Sequence, residues 1–234
     1  MTAGVTTSRG LDVNLRSGPQ MREYVAIADR IARDGRGRIL DWGCGHGQVT
    51  VMLRERGFET ESFDYAADVD GVTKRPLPEY PDVEATLSSD PVGLPYEDEE
   101  FDAVLSLGVL EHVMDPGGSL EELRRVLKPG GRLYVYKLPN RRSYLEWIAR
   151  KLGWYYHGAL EYDRVYNLRE AVDIVERHGF VVDEARLFNM LPLTISHPLA
   201  HRFASAIWRV NAGLSLVPGL RLFATNVEVL AQKR

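Results

Sequence analysis

The spacing of apolar residues changes repeatedly along the first 139 residues. Short buried runs typical of strands alternate with segments in which apolar residues recur every three or four positions, as in helices. This alternation predicts an α/β fold with right-handed crossovers and a mostly parallel sheet, covered by helices on both faces. The predicted strands are 38–42, 58–64, 83–87, 101–107 and 132–138, and the predicted helices are 21–34, 48–56 and 120–127.

The remaining residues, 140–234, follow a less regular pattern. An aromatic-rich segment, 154–166, resembles a lid. Ligands bind beyond the carboxyl ends of the strands in such sheets, so we expect the second part to cover that edge. We interpret 1–234 as one domain, with an N-terminal arm and helix (1–37), a ligand-binding half (38–139) and substrate, lid and final-strand elements (140–234). The pattern predicts helices at 143–153, 168–178 and 203–217, and strands at 180–188 and 223–231.

The helix predicted at 203–217 is amphipathic. Its apolar residues fall on one stripe: Phe203, Ile207, Val210, Leu214 and Val217. Three arginines, at 202, 209 and 221, accompany the stripe. The pattern leaves three interpretations open: an ordinary core helix, the face of a homodimer, or a surface that rests peripherally on a membrane.

Composition adds limits on partners and location. The formal net charge of −4 and the lack of a basic stripe with spaced aromatic residues predict no nucleic-acid partner. The charge is uneven, with a net −8 in 1–139 and +4 in 140–234. A single cysteine, Cys44, permits no intrachain disulfide, and neither a signal peptide nor a long apolar run is evident. We therefore expect a cytoplasmic protein, with membrane-peripheral contact left open.

A glycine loop follows the first predicted strand, reading Asp41-Trp42-Gly43-Cys44-Gly45-His46-Gly47. A strand entering and a helix leaving such a loop place backbone N–H groups and the positive end of the helix dipole there. The glycines fit neither register of the dinucleotide fingerprint, and no phosphate-loop lysine follows. Asp41 would repel a pyrophosphate but suits a ligand that carries an ammonium and a sulfonium. A tight strand-to-helix turn without a ligand is the alternative.

Acidic residues follow the next two strands. Asp64 ends the second strand, where a carboxylate can accept hydrogen bonds from two ribose hydroxyls, and Tyr65 can lie against an adenine. The alternative for Asp64 is a helix N-cap before Ala66. Asp90 can accept the adenine amino group, or it can cap its own turn.

Several segments, in order and at matching spacing, resemble class I S-adenosylmethionine-dependent methyltransferases, in the subgroup that includes ubiquinone and menaquinone methyltransferases. The resemblance covers about residues 38–139. The matching segments are 39–47, Asp90 with 94–96 and 101–102, 110–116, and 123–131.

The resemblance implies a Rossmann-like seven-stranded sheet whose last strand is antiparallel. It also implies S-adenosylmethionine as cofactor and S-adenosylhomocysteine as product. In the resembling pattern, the loop of Gly43, Cys44 and Gly45 holds the methionine part, Leu107 borders it, Asp64 holds the ribose and Asp90 meets the adenine.

Methyl transfer from a sulfonium is an in-line displacement, so the protein must align the acceptor and keep it nucleophilic. His112, which follows the fourth strand, is the first candidate base, and His157 in the lid segment is the second. His112 as a purely structural residue stays an alternative. We expect no metal site, because Pro198 interrupts the His197 and His201 pair.

The sequence leaves the acceptor itself unidentified. A small molecule, or a lipid- or sugar-linked group methylated on oxygen, is the expected class. Two other functions stay open at this point: an NAD(P)-dependent oxidoreductase on the same architecture, and a binding module that has lost turnover.

Overall fold

The computed structural model describes residues 17–35, 37–65, 82–153, 162–195 and 197–234. Within these ranges the strands are β1 Arg38–Trp42, β2 Glu59–Tyr65, β3 Thr86–Ser88, β4 Phe101–Leu107, β5 Leu127–Pro139, β6 Phe180–Phe188 and β7 Asn226–Lys233. The helices are α1 Gly18–Asp34, α2 Gln48–Glu55, α3 Pro116–Val126, α4 Tyr144–Leu152, α5 Leu168–Arg177, α6 Pro198–Arg202 and α7 Ala204–Ser215. A 3₁₀ turn, Leu220–Phe223, precedes β7.

The described strands form one seven-stranded sheet in the order β3-β2-β1-β4-β5-β7-β6. The first five strands pair in parallel, and β7 runs antiparallel to both β5 and β6. This confirms the Rossmann-like sheet with an antiparallel last strand. Because β6 and β5 both oppose β7, the connection that leaves β6 lies at the same edge as the carboxyl ends of β1, β2, β4 and β5.

Two apolar layers cover the sheet, one on each face. Successive side chains of a strand point to opposite faces, and β5 shows this directly. Leu133 and Val135 pack into the layer that includes α3 and α5, whereas Tyr134 and Tyr136 pack into the layer formed with α1 and α2. Helices on both faces are therefore confirmed.

The boundaries of several elements differ from those predicted. Helix α3 begins at Pro116, because the Asp115 carboxylate caps it by accepting from the N–H of Gly118 at 3.0 Å. Strand β5 begins at Leu127, five residues before the predicted start at 132, with an irregularity in its pairing with β4 and Gly130 at φ 74°. Strand β7 starts three residues later than expected, since the 3₁₀ turn occupies 220–223.

The predicted helix 203–217 corresponds to α7, Ala204–Ser215, and a separate short helix, α6, precedes it. The residues that α7 buries are Ala204, Asn211 and Ser215. Phe203 and Val210, by contrast, are 52% and 55% exposed. The interpretation of the apolar stripe as core is therefore wrong, because the stripe lies about a third of a turn away from the buried face. No helix in the described part of the chain is long and apolar enough to cross a membrane.

Candidate active site

The glycine loop joins β1 to α2, and three of its glycines have positive φ angles: 75° at Gly43, 57° at Gly45 and 83° at Gly47. A β-carbon at Gly43 would lie 2.3 Å from Val109, and one at Gly47 would lie 2.7 Å from Val83. These two glycines permit close packing of the loop against its neighbours. Among the described residues, apart from its two chain neighbours, no atom lies within 4 Å of a β-carbon built at Gly45, so this side of the glycine has room for a ligand.

Backbone hydrogen bonds tie the loop to β2. The N–H groups of Gly43 and Cys44 both donate to the Phe63 carbonyl, at 2.8 and 2.9 Å. The N–H of Gly45 donates to the Asp64 carboxylate at 2.9 Å. The expectation of free N–H groups is therefore wrong for these three residues, since the loop uses its own donors to hold its shape.

Asp64, the next-to-last residue of β2, is buried and is hydrogen-bonded to the backbone of Gly45. Its carboxylate also accepts from the N–H of Tyr65 at 2.8 Å. Each carboxylate oxygen can accept more than one hydrogen bond, so the ribose role stays compatible with these contacts. The Tyr65 ring is 40% exposed, as an aromatic surface for an adenine requires. The N-cap alternative concerns Ala66, which lies outside the described residues.

Asp41 lies inside the fold, under the loop. Its carboxylate accepts from the Thr50 hydroxyl of α2 at 2.6 Å. Burial, together with the nearby charge of Asp64, raises the pKa of Asp41 to about 6 despite that hydrogen bond. Asp41 thus joins β1 to α2, and a direct contact with an ammonium group stays a prediction. Cys44 is buried in the same loop, and Leu107 is half-buried at the end of β4.

Asp90 follows β3 and is exposed. Its carboxylate accepts from the N–H groups of Val92 and Gly93 at 3.0 and 2.8 Å. These two bonds lower the pKa of Asp90. The described contacts are those of the turn-capping alternative, and recognition of an adenine by Asp90 stays a prediction.

The segment after β4 carries His112 and touches the glycine loop through Val109. Nδ1 of His112 lies 2.7 Å from Oδ1 of Asp163, whose side chain is 1% exposed. A buried carboxylate against one ring nitrogen fixes the orientation of an imidazole and directs the other nitrogen elsewhere. Here that other nitrogen, Nε2, lies 3.8 Å from Glu111. These contacts are compatible with an oriented general base and with a structural histidine, and the catalytic role of His112 stays a prediction.

Arg164 fixes Asp163 in place. Its guanidinium donates to the carbonyls of Val113 and Met114, and its N–H donates to the Glu111 carbonyl at 2.9 Å. Neither Asp163 nor Arg164 is among the residues that the sequence singled out. The one available signal is an acidic residue inside the predicted lid. His157, the second candidate base, lies outside the described residues.

No cluster of three or more His, Cys, Asp or Glu side chains suited to a metal occurs in the described ranges. His197 instead caps α6, accepting from the N–H of Leu199. The sheet order, the glycine loop and the acid near the end of β2 are the arrangement expected of the donor-binding domain of a class I methyltransferase.

Comparison with known proteins identifies a domain within the chain. Residues 40–135 match the model of a family described as a methyltransferase domain. This part of the chain is therefore a methyltransferase domain, and the match supports S-adenosylmethionine as its cofactor.

Individual relatives agree with this assignment. A demethylmenaquinone methyltransferase of Renibacterium salmoninarum is 30% identical over 144 residues, which is 59% of each chain. A ubiquinone biosynthesis O-methyltransferase of Xylella fastidiosa is 32% identical, over 47% of this chain and 44% of its own. The chain thus spans about half the length of the curated relatives it matches.

A solved structure shares the fold at low sequence identity. It is the Burkholderia thailandensis 1,6-didemethyltoxoflavin-N1-methyltransferase with bound S-adenosylhomocysteine, which is 20% identical, with a TM-score of 0.58 over 95% of this chain and 81% of that one.

Proposed function

We propose that the chain transfers the methyl group of S-adenosylmethionine to a hydroxyl of a small-molecule or lipid- or sugar-linked acceptor. The His112–Asp163 pair carries this proposal, because an oriented base at the mouth of the donor site serves an acceptor that must lose a proton. One relative is named as an O-methyltransferase of ubiquinone biosynthesis, which agrees with this acceptor chemistry. The wrong glycine spacing and the matched family disfavour a nicotinamide oxidoreductase.

Some residues of the site bind the donor, and others act on the acceptor. Bound S-adenosylmethionine supplies an activated methyl group on a sulfonium. Asp64 accepts hydrogen bonds from the ribose, and the open side of Gly45 leaves room for the methionine part. Alignment of acceptor and methyl can supply several kcal/mol of the barrier.

His112 acts on the acceptor side of the site. Nε2 of His112 would take the proton of the acceptor hydroxyl as the oxygen bonds to the methyl carbon. The bond between that carbon and the donor sulfur would break at the same time, with S-adenosylhomocysteine as the leaving group. Asp163 holds the imidazole and stabilises its charge after proton transfer.

Donor binding is tested by calorimetry with S-adenosylmethionine and, in parallel, NAD and NADP. We expect binding of the first alone, weakened at least about tenfold by Asp64→Ala. Thermal unfolding of that variant checks that the loop is still folded. Binding of a nicotinamide cofactor instead would contradict the proposal, and unchanged affinity in Asp64→Ala would remove Asp64 from the ribose role.

Turnover is tested by incubating the protein with S-adenosylmethionine labelled on its methyl group and cell extracts fractionated by polarity. We expect label in a fraction that contains hydroxylated compounds. His112→Asn should keep the donor affinity and lower the rate by about 10²- to 10⁴-fold. Donor binding without labelled product from any fraction would favour a binding module without turnover.

A further inference from the structure

The connection between β6 and β7 carries an exposed apolar surface. Its members, which we call the α7 surface, are Phe203, Val210, Leu216, Val217, Leu222 and Phe223, each 42 to 75% exposed. Isolated exposed apolar residues are ordinary, whereas six between the N-cap of α7 and the end of the 3₁₀ turn indicate an interaction site.

The charged side chains of the segment that carries the α7 surface are all positive. Residues 185–227 contain four arginines and no aspartate or glutamate. Three of the arginines, Arg202, Arg209 and Arg221, are exposed beside the apolar side chains. Within the described part of the chain, no acidic side chain forms an ion pair with any of these three. A positive rim around an apolar stripe complements anionic lipid headgroups over an acyl layer.

The faces of α7 are arranged as an interfacial helix requires. At about 100° per residue, the apolar stripe lies between the buried face, with Asn211 and Ser215, and the side that bears Arg202 and Arg209. The helix can therefore lie in a headgroup layer, with its stripe turned into the lipid, while its third face stays packed on the domain. The guanidinium of Arg202 lies 5.6 Å above the Phe203 ring, so the cation and the aromatic occupy the same region.

Hydrogen bonds connect this surface to the candidate active site. Asn140, directly after β5, donates through its side chain to the carbonyls of Leu222 and Ala224, at 3.1 and 2.7 Å. Asn140 also forms a bridge with Tyr166, in the segment that carries Asp163. The α7 surface therefore lies at the edge of the sheet where the acceptor must enter.

We propose that the α7 surface docks the chain on an anionic lipid bilayer, with the mouth of the candidate active site at the membrane boundary. If the chain also has the proposed function, on which this part of the proposal rests, its acceptor should itself be held in the bilayer. Its reactive group would reach His112 without crossing bulk water.

The test is flotation of the full chain with two kinds of vesicle, one of phosphatidylcholine alone and one of equal parts phosphatidylcholine and phosphatidylglycerol. We expect association with the anionic vesicles that weakens as salt rises. Phe203→Ser/Leu216→Ser should weaken it at least about tenfold, since binding scales with buried apolar area. The matched control is Leu87→Ser/Val181→Ser, which changes two exposed apolar residues of β3 and β6 and should leave association unchanged.

Charge is tested separately with Arg202→Gln/Arg209→Gln/Arg221→Gln. We expect roughly a fivefold loss of association per arginine, and none for Arg169→Gln on α5. Lack of flotation by the unaltered chain would overturn the proposal. So would a dimer in sedimentation that Phe203→Ser/Leu216→Ser dissociates, because the surface would then bind a second copy. Calorimetry with S-adenosylmethionine on the same variants separates this result from failure of the proposed function.

Discussion

Nδ1 of His112 and Oδ1 of Asp163 lie 2.7 Å apart, although 51 positions separate the two residues in the chain. The Asp163 carboxylate is buried, whereas the His112 imidazole is partly exposed. Of the two groups, the imidazole is therefore the one that an acceptor can contact. In the proposed function, Asp163 is therefore the positioning residue and His112 the group that exchanges a proton.

Asp163→Asn should lower kcat by about 10- to 100-fold, because the amide neither stabilises a charged imidazole nor fixes its tautomer as the carboxylate does. The affinity for S-adenosylmethionine and the KM of the acceptor should stay unchanged. The dependence of kcat on pH should also change, because replacing Asp163 should shift the pH at which the catalytic base loses its proton. A purely structural role of Asp163 would leave that pH unchanged. The control is Asp173→Asn, which changes a half-exposed acid of α5. If Asp163→Asn left kcat and its pH profile unaltered, the His112–Asp163 pair would be excluded from catalysis.

The donor half of this site was predictable because its signals are local. A strand, a glycine loop and a helix are contiguous in sequence, and the acid at the end of β2 follows by counting along the chain. Asp163 was not predictable in the same way. Its approach to His112 depends on Arg164 reaching across to the carbonyls of residues 113 and 114, a contact between segments far apart in sequence.

Of the three interpretations of the α7 stripe, the core interpretation failed for a different reason. Apolar periodicity assumes that the apolar stripe faces the core, but α7 buries Asn211 and Ser215 instead. Burial of a polar side chain is favourable only when its hydrogen bonds are satisfied, and those partners come from other elements. Hydrophobic patterning carries no information about them.

Gly45→Ala should have two separate effects: a loss of stability from backbone strain, and weaker donor binding from loss of space for the ligand. The φ angle of Gly45 is 57°, so alanine there costs about 1–2 kcal/mol of stability, and its methyl group would enter the open space assigned to the donor. Gly130→Ala is the matched control, since Gly130 has φ 74° and lies in β5 near the opposite edge of the sheet. Both variants should lose similar stability in denaturant titrations, while only Gly45→Ala should weaken S-adenosylmethionine binding, by at least about tenfold. Equal donor affinity in the two variants would contradict the assignment of that space.

Asp41→Asn should raise stability at neutral pH while weakening donor binding. Burial raises the pKa of Asp41 to about 6 in the folded chain, so the folded state binds more protons than the unfolded state between about pH 4 and 6. The contribution of this group to stability therefore falls as pH rises through that window. Above it, the buried charge costs on the order of 3 kcal/mol, part of which an amide should recover.

Denaturant titrations at pH 5 and pH 8 measure the effect of Asp41→Asn, with calorimetry for the donor. Glu228→Gln is the control. Burial also raises the pKa of Glu228, to about 7, and this residue lies in β7 away from the glycine loop. It should show the same sign of stability change with no change in donor affinity. A loss of stability at pH 8 in Asp41→Asn would show that the charged carboxylate is favourable where it lies.

Asn211 holds α7 on the domain, and its replacement should be costly. Its side-chain oxygen accepts from the N–H groups of Met190 and Leu191, at 2.7 and 2.9 Å, and its amide donates to Asn189 at 2.8 Å. Asn189 in turn donates to the buried Glu23 of α1, which pairs with Lys137 of β5 at 3.1 Å. Asn211→Ala removes the partner of two backbone donors at once, so we expect a loss of about 2–4 kcal/mol in the free energy of unfolding.

Gly213→Ala on the same helix is the comparison. Gly213 is exposed with no atom of another residue near its missing β-carbon, so alanine should stabilise by about 0.5–1 kcal/mol through helix propensity. Opposite shifts in one cooperative denaturant transition would show that α7 unfolds together with the sheet. If Asn211→Ala instead unfolds in two steps, with the sheet at its original midpoint, then α7 is a separate unit. The α7 surface would then not be rigidly tied to the candidate active site through the residues that follow β6.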